Sequence, residues 1–252
     1  MISYSLGKRL ARPGAVSFKF ASYFHAPHLP VPPLRFGHYG VRGDWGMLAN
    51  DRYGCCVLSG AAHETMVWNR EGGGAALFDD ASVLADYAAV AGFVPGDPST
   101  DQGSDMSAAA SYRRTTGVAD AAGRRHKIDS YVALLPGDAG QLALAVYLTG
   151  AAGVGLRLTR SAEGLFDDQK PWGVMAGDVE EGGHYVPCVG RNSAGDFLVV
   201  SWGRLHAMTP EYYKAHCDEA LAYVSLEALK NQLTPEGFSA DQLRTNLAAL
   251  AA

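Results

Sequence analysis

Cys56 and His184 are the residues of this 252-residue sequence whose types and placing suit acyl-transfer chemistry. Cys56 follows Gly54 in "NDRYGCCVLSGAAHETMVW". It opens a run in which Val57, Leu58, Ala61, Ala62 and Met66 recur at helical spacing. A thiol at a helix start meets unpaired backbone N–H groups and the positive end of the helix dipole, and both favour thiolate. A thiolate nucleophile needs a base. His184 stands 128 residues later, in "EEGGHYVPCVG", where two glycines lead into a strand. Asn50, in the loop before the helix, reads by itself as a turn residue. Cys55 reads as a packed neighbour. Each residue taken singly has a bland reading, since cysteine is among the most buried residue types. Only the spacing of the set carries weight.

Other signals read as structural. A Cys55–Cys56 disulfide would be strained. His25 and His28 in "HAPH" sit in a proline-rich stretch without further ligands, so no metal is expected. His63 lies about two helical turns from Cys56, too far to serve as its base. "TDQGSD" is too short for a calcium loop. "GAAGVGL" lacks the Lys and Ser/Thr of a phosphate loop. No cofactor is expected.

The elements that must position the set fall into two halves. Residues 1–36 read as an extended N-terminal segment, in which "HAPHLPVPPLRF", with four prolines, lies along a surface. Residues 37–125 read as a helical lobe, with helices at Cys56–Asn69, in "DDASVLADYAAVAGF" capped by Asp80 or Ser82, and in "SAAASYRRTTGV". Residues 126–233 alternate in "HKIDSYVALL", "GVGLRL", "HYVPCVGRN", "DFLVVSW" and "LAYVS", the pattern of an antiparallel sheet, with one helix in "GDAGQLALAVYLTGA". Residues 234–252 read as a C-terminal helix. Hydrophobic residues make up 48% and charged residues 19%, as in a folded globular protein. The net charge of −5 gives no case for nucleic acid or an acidic membrane surface as partner. No apolar run is long enough to span a bilayer. Lys8, Arg9 and Arg12 have no apolar stretch behind them, so no secretory signal is read and a reduced, cytoplasmic setting is expected.

"VRGDWGMLANDRYGCCVLSGAAH" resembles the segment leading into the active-site helix of papain-like cysteine peptidases. "GGHYVPCVGRN" is similar to that family's histidine strand, and "DFLVVSWG" to its Asn-Ser-Trp-Gly strand. The Cys56–His184 spacing is close to the roughly 130–150 residues of those enzymes. The resemblance implies an α+β, papain-like two-lobe fold, with a helical left lobe and an antiparallel β-sheet or barrel as right lobe. It implies Cys56 as nucleophile, His184 as base, Asn50 in the oxyanion hole, Trp202 shielding the histidine and Gly183 on the substrate path. The sequence departs from the family in two places. Val57 replaces the tryptophan after the nucleophile, and Val200 falls where an asparagine would orient the histidine. Ser201 orients His184 only if the strand register differs by one, and Asp178 is another candidate. The expected function is a cysteine hydrolase cleaving peptide or isopeptide bonds of a protein substrate. The alternatives are a papain-fold binding module with a protein assembly partner, and an acyltransferase on the same site.

Overall fold

The computed structural model describes residues 4–16, 30–37, 39–40, 44–239 and 241. The helix-rich half holds α1 (Cys56–Glu71), α2 (Asp80–Ala91) and α3 (Met106–Thr115). The Asp79 side chain accepts from Ser82 N–H while the Ser82 hydroxyl accepts from Asp79 N–H, so the cap of α2 lies one residue earlier than expected. Short strands β1 (Phe36–Gly37), β2 (Val118–Ala119) and β3 (Arg125–His126) flank this half. The remainder holds β4 (Ser130–Ala133), α4 (Ala139–Thr149), β5 (Ala152–Thr159), α5 (Arg160–Asp167), β6 (Glu180–Arg191), β7 (Phe197–Ser201), β8 (Arg204–Met208), α6 (Pro210–His216) and β9 (Cys217–Val224).

One seven-stranded sheet runs in the order β4-β9-β5-β6-β7-β8, with β1 on β6, and every pairing is antiparallel. The expected strand "HKIDSYVALL" is two strands in two sheets, because β3 pairs with β2 and β4 with β9. α5, β8 and α6 were not expected. In the N-terminal segment, Tyr4 and Lys8 are buried. Of the C-terminal helix expected over 234–252, residues 234–239 form turns, and most of the rest lies outside the described residues, as do His25 and His28.

Side chains of the sheet divide between two cores. Val186, Cys188, Val199 and Phe197 face α4, α5 and α6, while Tyr185, Val189, Val200 and Tyr223 face α1 and α3. α1 is buried over Cys56–Trp68, which suits its apolar and small residues on all sides. At Gly60 the Tyr185 ring lies so close that a Cβ would overlap it. Buried Glu64 on α1 accepts from Tyr185 Oη at 2.6 Å and pairs with buried Arg113 of α3 at 2.6 Å. Arg113 lies 4.2 Å over the Tyr223 ring. The helix that begins with Cys56 is thus bolted to the strand that carries His184. No helix among the described residues is long and apolar enough to cross a membrane.

Candidate active site

Cys56 is the first residue of α1, and the chain reaches it through a tight turn in which Leu48 and Ala49 both take positive φ. That turn is pinned from the helix. Ser59 Oγ donates to Leu48 O at 2.9 Å, and His63 Nε2 lies 3.0 Å from Trp45 O. Asn50, at the end of the turn, lines a cavity together with Met47, Cys56, His184, Ser201 and Trp202. The space left there is ≈ 10 Å³, room for at most one water. Gly54 donates its N–H to both Asp101 carboxylate oxygens, at 3.0 and 3.1 Å. Its φ is not left-handed, so glycine is needed there for the close approach of Asp101 and Gly7.

His184 Nε2 lies 2.9 Å from Ser201 Oγ, and its Nδ1 has no hydrogen-bond partner among the described residues. A bulge in β6 explains why serine rather than Val200 meets the ring. Above it Gly190 pairs with Leu198, and below it Cys188 pairs with Val199, a shift of one. Paired residues share a face and side chains alternate along a strand. The shift therefore puts Ser201 on the face of His184 and turns Val200 into the α1 core. Asp178, the other candidate, is bound to Ser161 and Val179 N–H instead.

Trp202 and Gly203, both at positive φ, form the two-residue turn closed by Ser201 and Arg204. Both signs of φ match the hairpin turn that suits strand twist. For a tryptophan this backbone is strained by about 1–3 kcal/mol. Packing offsets the strain: the indole stacks on His184 at 4.7 Å and on Tyr4 at 4.3 Å, and meets Phe166 edge-on at 4.9 Å.

The cleft beside these residues is filled by the chain's own residues 4–9. Ser5 N–H donates to Asn50 O at 3.2 Å, and Asn50 Nδ2 donates to Ser5 O at 3.1 Å. Lys8 N–H donates to Gly183 O at 3.0 Å. Ser104 N–H donates to Gly7 O at 2.7 Å, and Arg9 N–H to Ser104 O at 2.9 Å. Gly7 is pressed between the backbones of Gly54 and Gly103, with no room for a Cβ, and a Cβ on Gly183 would overlap the Lys8 carbonyl. The sequence reading missed this segment entirely.

Closure decides the protonation of the site. Cys56 and His184 are each 1% exposed. Burial pushes the Cys56 thiol up to about 11, against hydrogen bonds from the Tyr185 and Gly7 N–H groups. The helix start was expected to favour thiolate, and here desolvation outweighs it. Burial likewise depresses His184 to about 3. Cys55 is raised to about 12 by burial, and its Sγ lies 3.4 Å from Ser59 Oγ. All four cysteines are free and buried.

No family model matches the sequence, and no curated protein matches it. Solved structures do match. Xylellain, a cysteine protease from Xylella fastidiosa, aligns over 89% of this chain and 97% of its own, with a TM-score of 0.63 and 16% identity. Procathepsin B S9 from Trypanosoma congolense covers 88% of this chain and 86% of its own, at TM-score 0.61 and 12% identity. Digestive procathepsin L 3 of Tenebrio molitor covers 88% and 76%, at 0.55 and 14%. The fold is that of papain-like cysteine proteases, a mixed helix and antiparallel-sheet architecture.

Proposed function

We propose that this chain is a cysteine hydrolase of peptide bonds, held latent by residues 4–9. The observation that carries the reading is the cleft itself, which grips an extended peptide by its backbone. Five hydrogen bonds run between residues 5–9 and Asn50, Gly183 and Ser104. One of them puts a peptide carbonyl on the amide nitrogen of Asn50, beside the cavity that Cys56 and His184 share.

With the segment displaced and the site wet, the chemistry follows from the groups present. His184 Nε2, donating to Ser201 Oγ, leaves the Nδ1 lone pair to take the Cys56 proton. The thiolate adds to the substrate carbonyl carbon. The oxygen, now carrying the negative charge, is held by Asn50 Nδ2 and the Cys56 N–H, which has no partner within the helix. The carbon–nitrogen bond then breaks, and the imidazolium returns its proton to the leaving amine. Water, deprotonated by the same imidazole, hydrolyses the thioester and restores the thiol. Trp202, stacked on the ring, keeps water from that face.

The test is a quenched-peptide library offered to the natural chain and to Gly7→Val, whose added side chain cannot fit against Gly54. Turnover by Gly7→Val that vanishes with Cys56→Ala supports the reading. A Gly7→Val protein that exposes Cys56 to alkylation yet cleaves nothing favours instead a binding module on this fold.

A further inference from the structure

The sulfur and imidazole do not account for one feature of the same cleft, the buried acidic pocket around Lys8. Its side chain is 0% exposed. Nζ lies 2.7 and 2.8 Å from the two Asp218 oxygens and 4.0 Å from Glu219 Oε2. Two carboxylates therefore face one ammonium. Neighbouring side chains of a regular strand point to opposite faces. Here β9 carries a bulge: Gly155 pairs with Glu219 and Leu156 with Cys217, so Asp218 is the extra residue. The bulge turns two consecutive acids toward one pocket. Beside Glu219 on the neighbouring strand stands Gly155, its direct partner, in the middle of a buried strand, where glycine weakens the strand. A Cβ there would overlap Lys8 Cε. The pocket is thus cut to admit a long side chain and to meet a cation at its end.

The pocket also has a fixed place relative to the chemistry. The Lys8 N–H is held by Gly183 O, and Gly183 precedes His184. Any peptide that takes the place of residues 5–9 presents a side chain at this point. Burial raises Glu219 to about 7 even though the Lys8 ammonium pulls it down. Vacating the pocket leaves two buried acids without their cation, an arrangement that a new cation relieves. Beyond the acids lies a cavity of ≈ 450 Å³, walled by Leu134, Pro136 and Leu221 on one side and by Ala11, Arg12 and Val16 of the N-terminal segment on the other.

We propose that the pocket filled by Lys8 selects substrates, so that the cleft prefers peptides carrying a lysine or arginine at the position read by Asp218 and Glu219. This rests on the reading of the cleft as a peptide-hydrolysing site. Lys8 then acts as a tenant of the specificity pocket.

Two measurements on the full chain test it. Fluorogenic peptides bearing Lys, Arg, norleucine or Glu at each position in turn are offered to Gly7→Val. One position is expected to favour Lys or Arg over norleucine by about tenfold or more in kcat/KM, as a hydrogen-bonded charge predicts. That ratio is expected to fall toward unity when Asp218→Asn and Glu219→Gln are added. Lys8→Ala, which withdraws both the long side chain and its charge from the pocket, serves if Gly7→Val does not fold. Separately, a labelled peptide of residues 4–11 and its norleucine-8 analogue are titrated onto Gly7→Val carrying Cys56→Ala. Tighter binding of the lysine form by about tenfold is expected, with no turnover required. Equal affinities, or a basic preference that survives the double substitution, overturn the pocket. Selective binding without any cleavage upholds the pocket and overturns the hydrolase.

Discussion

Gly7→Val should unmask Cys56. Gly7 has no left-handed φ, so valine is excluded by space alone, through overlap with the Gly54 backbone. In the closed cleft the thiol stands at about 11 against an ordinary 9.0. At pH 7 that is about one thiolate in 10⁴, against about one in 10² once solvated. That difference corresponds to about 3 kcal/mol. A less basic thiolate is a weaker nucleophile, which removes roughly six- to tenfold of the hundredfold gain. Ionisation alone thus leaves about tenfold, and access to a sulfur that is 1% exposed adds to it. The assay is iodoacetamide labelling at pH 7, read peptide by peptide by mass spectrometry. Cys188 is the internal reference, buried in β6 and pushed to about 12. Cys56 labelling is expected to rise by at least about tenfold while Cys188 stays slow. A rise below about threefold refutes the account of latency, and equal acceleration at Cys188 shows general unfolding instead.

Four further outcomes are expected. On the Gly7→Val background, Ser201→Ala should lower kcat by about tenfold, the worth of one lost buried hydrogen bond, and Ser201→Asn should recover it; an unchanged kcat in Ser201→Ala removes Ser201 as the orienting group. Glu64→Leu strands the Arg113 cation and should cost about 3–5 kcal/mol in urea unfolding, much of it regained in the double variant with Arg113→Met. His126 is held by Glu227 at 2.8 Å and Asp120 at 3.1 Å. Burial alone would depress it, but those two hydrogen bonds and the Glu227 charge raise it above 6.5, with Arg124 opposing. A raised folded pKa stabilises fully below 6.5 and is lost as pH climbs through the folded value. The urea midpoint should therefore fall over that climb, and this step should be absent in His126→Asn. Finally, the natural chain kept at pH 7 should retain its Ser5–Leu6 and Leu6–Gly7 bonds by intact mass, and a product beginning at Leu6 or Gly7 would contradict the closed-site geometry.

The helices with strong local signals were legible. α1, α2, α3 and α4 lie where residue pattern and flanking glycines put them, although the cap of α2 is Asp79 and not Asp80 or Ser82. The short elements were not. α6 opens with Thr209 as cap and Pro210 at its first position, a start signal the reading passed over. Three of the set's positions (Asn50, Cys56 and His184) meet in one cavity, but their charge state was misjudged. A helix start is visible in sequence, whereas the desolvation that outweighs it depends on a segment 50 residues upstream. The β6 bulge was likewise out of reach. Sequence alternation around Val200 and Ser201 is the same with or without it, and only the pairing of Cys188 with Val199 decides which side chain meets the imidazole.

If the cleft hydrolyses peptides as proposed, the same geometry predicts that the segment lying across it escapes cleavage. Asn50 Nδ2 holds the carbonyl of Ser5, while the Cys56 sulfur is met by the N–H of Gly7. The gripped oxygen belongs to the peptide unit joining Ser5 to Leu6, and the N–H to the unit joining Leu6 to Gly7. Nucleophile and oxyanion donor thus address different peptide bonds, and attack needs both on one carbonyl. Lys8 fixes this offset, because its ammonium is locked to Asp218 and its N–H to Gly183. Sliding by one residue would pull a buried cation off its partners. Burial then removes what nucleophilicity remains, by keeping both the thiol and the imidazole neutral. A basic side chain can hold the cleft shut and also mark a substrate, because the pocket fixes register in both cases and only the register differs.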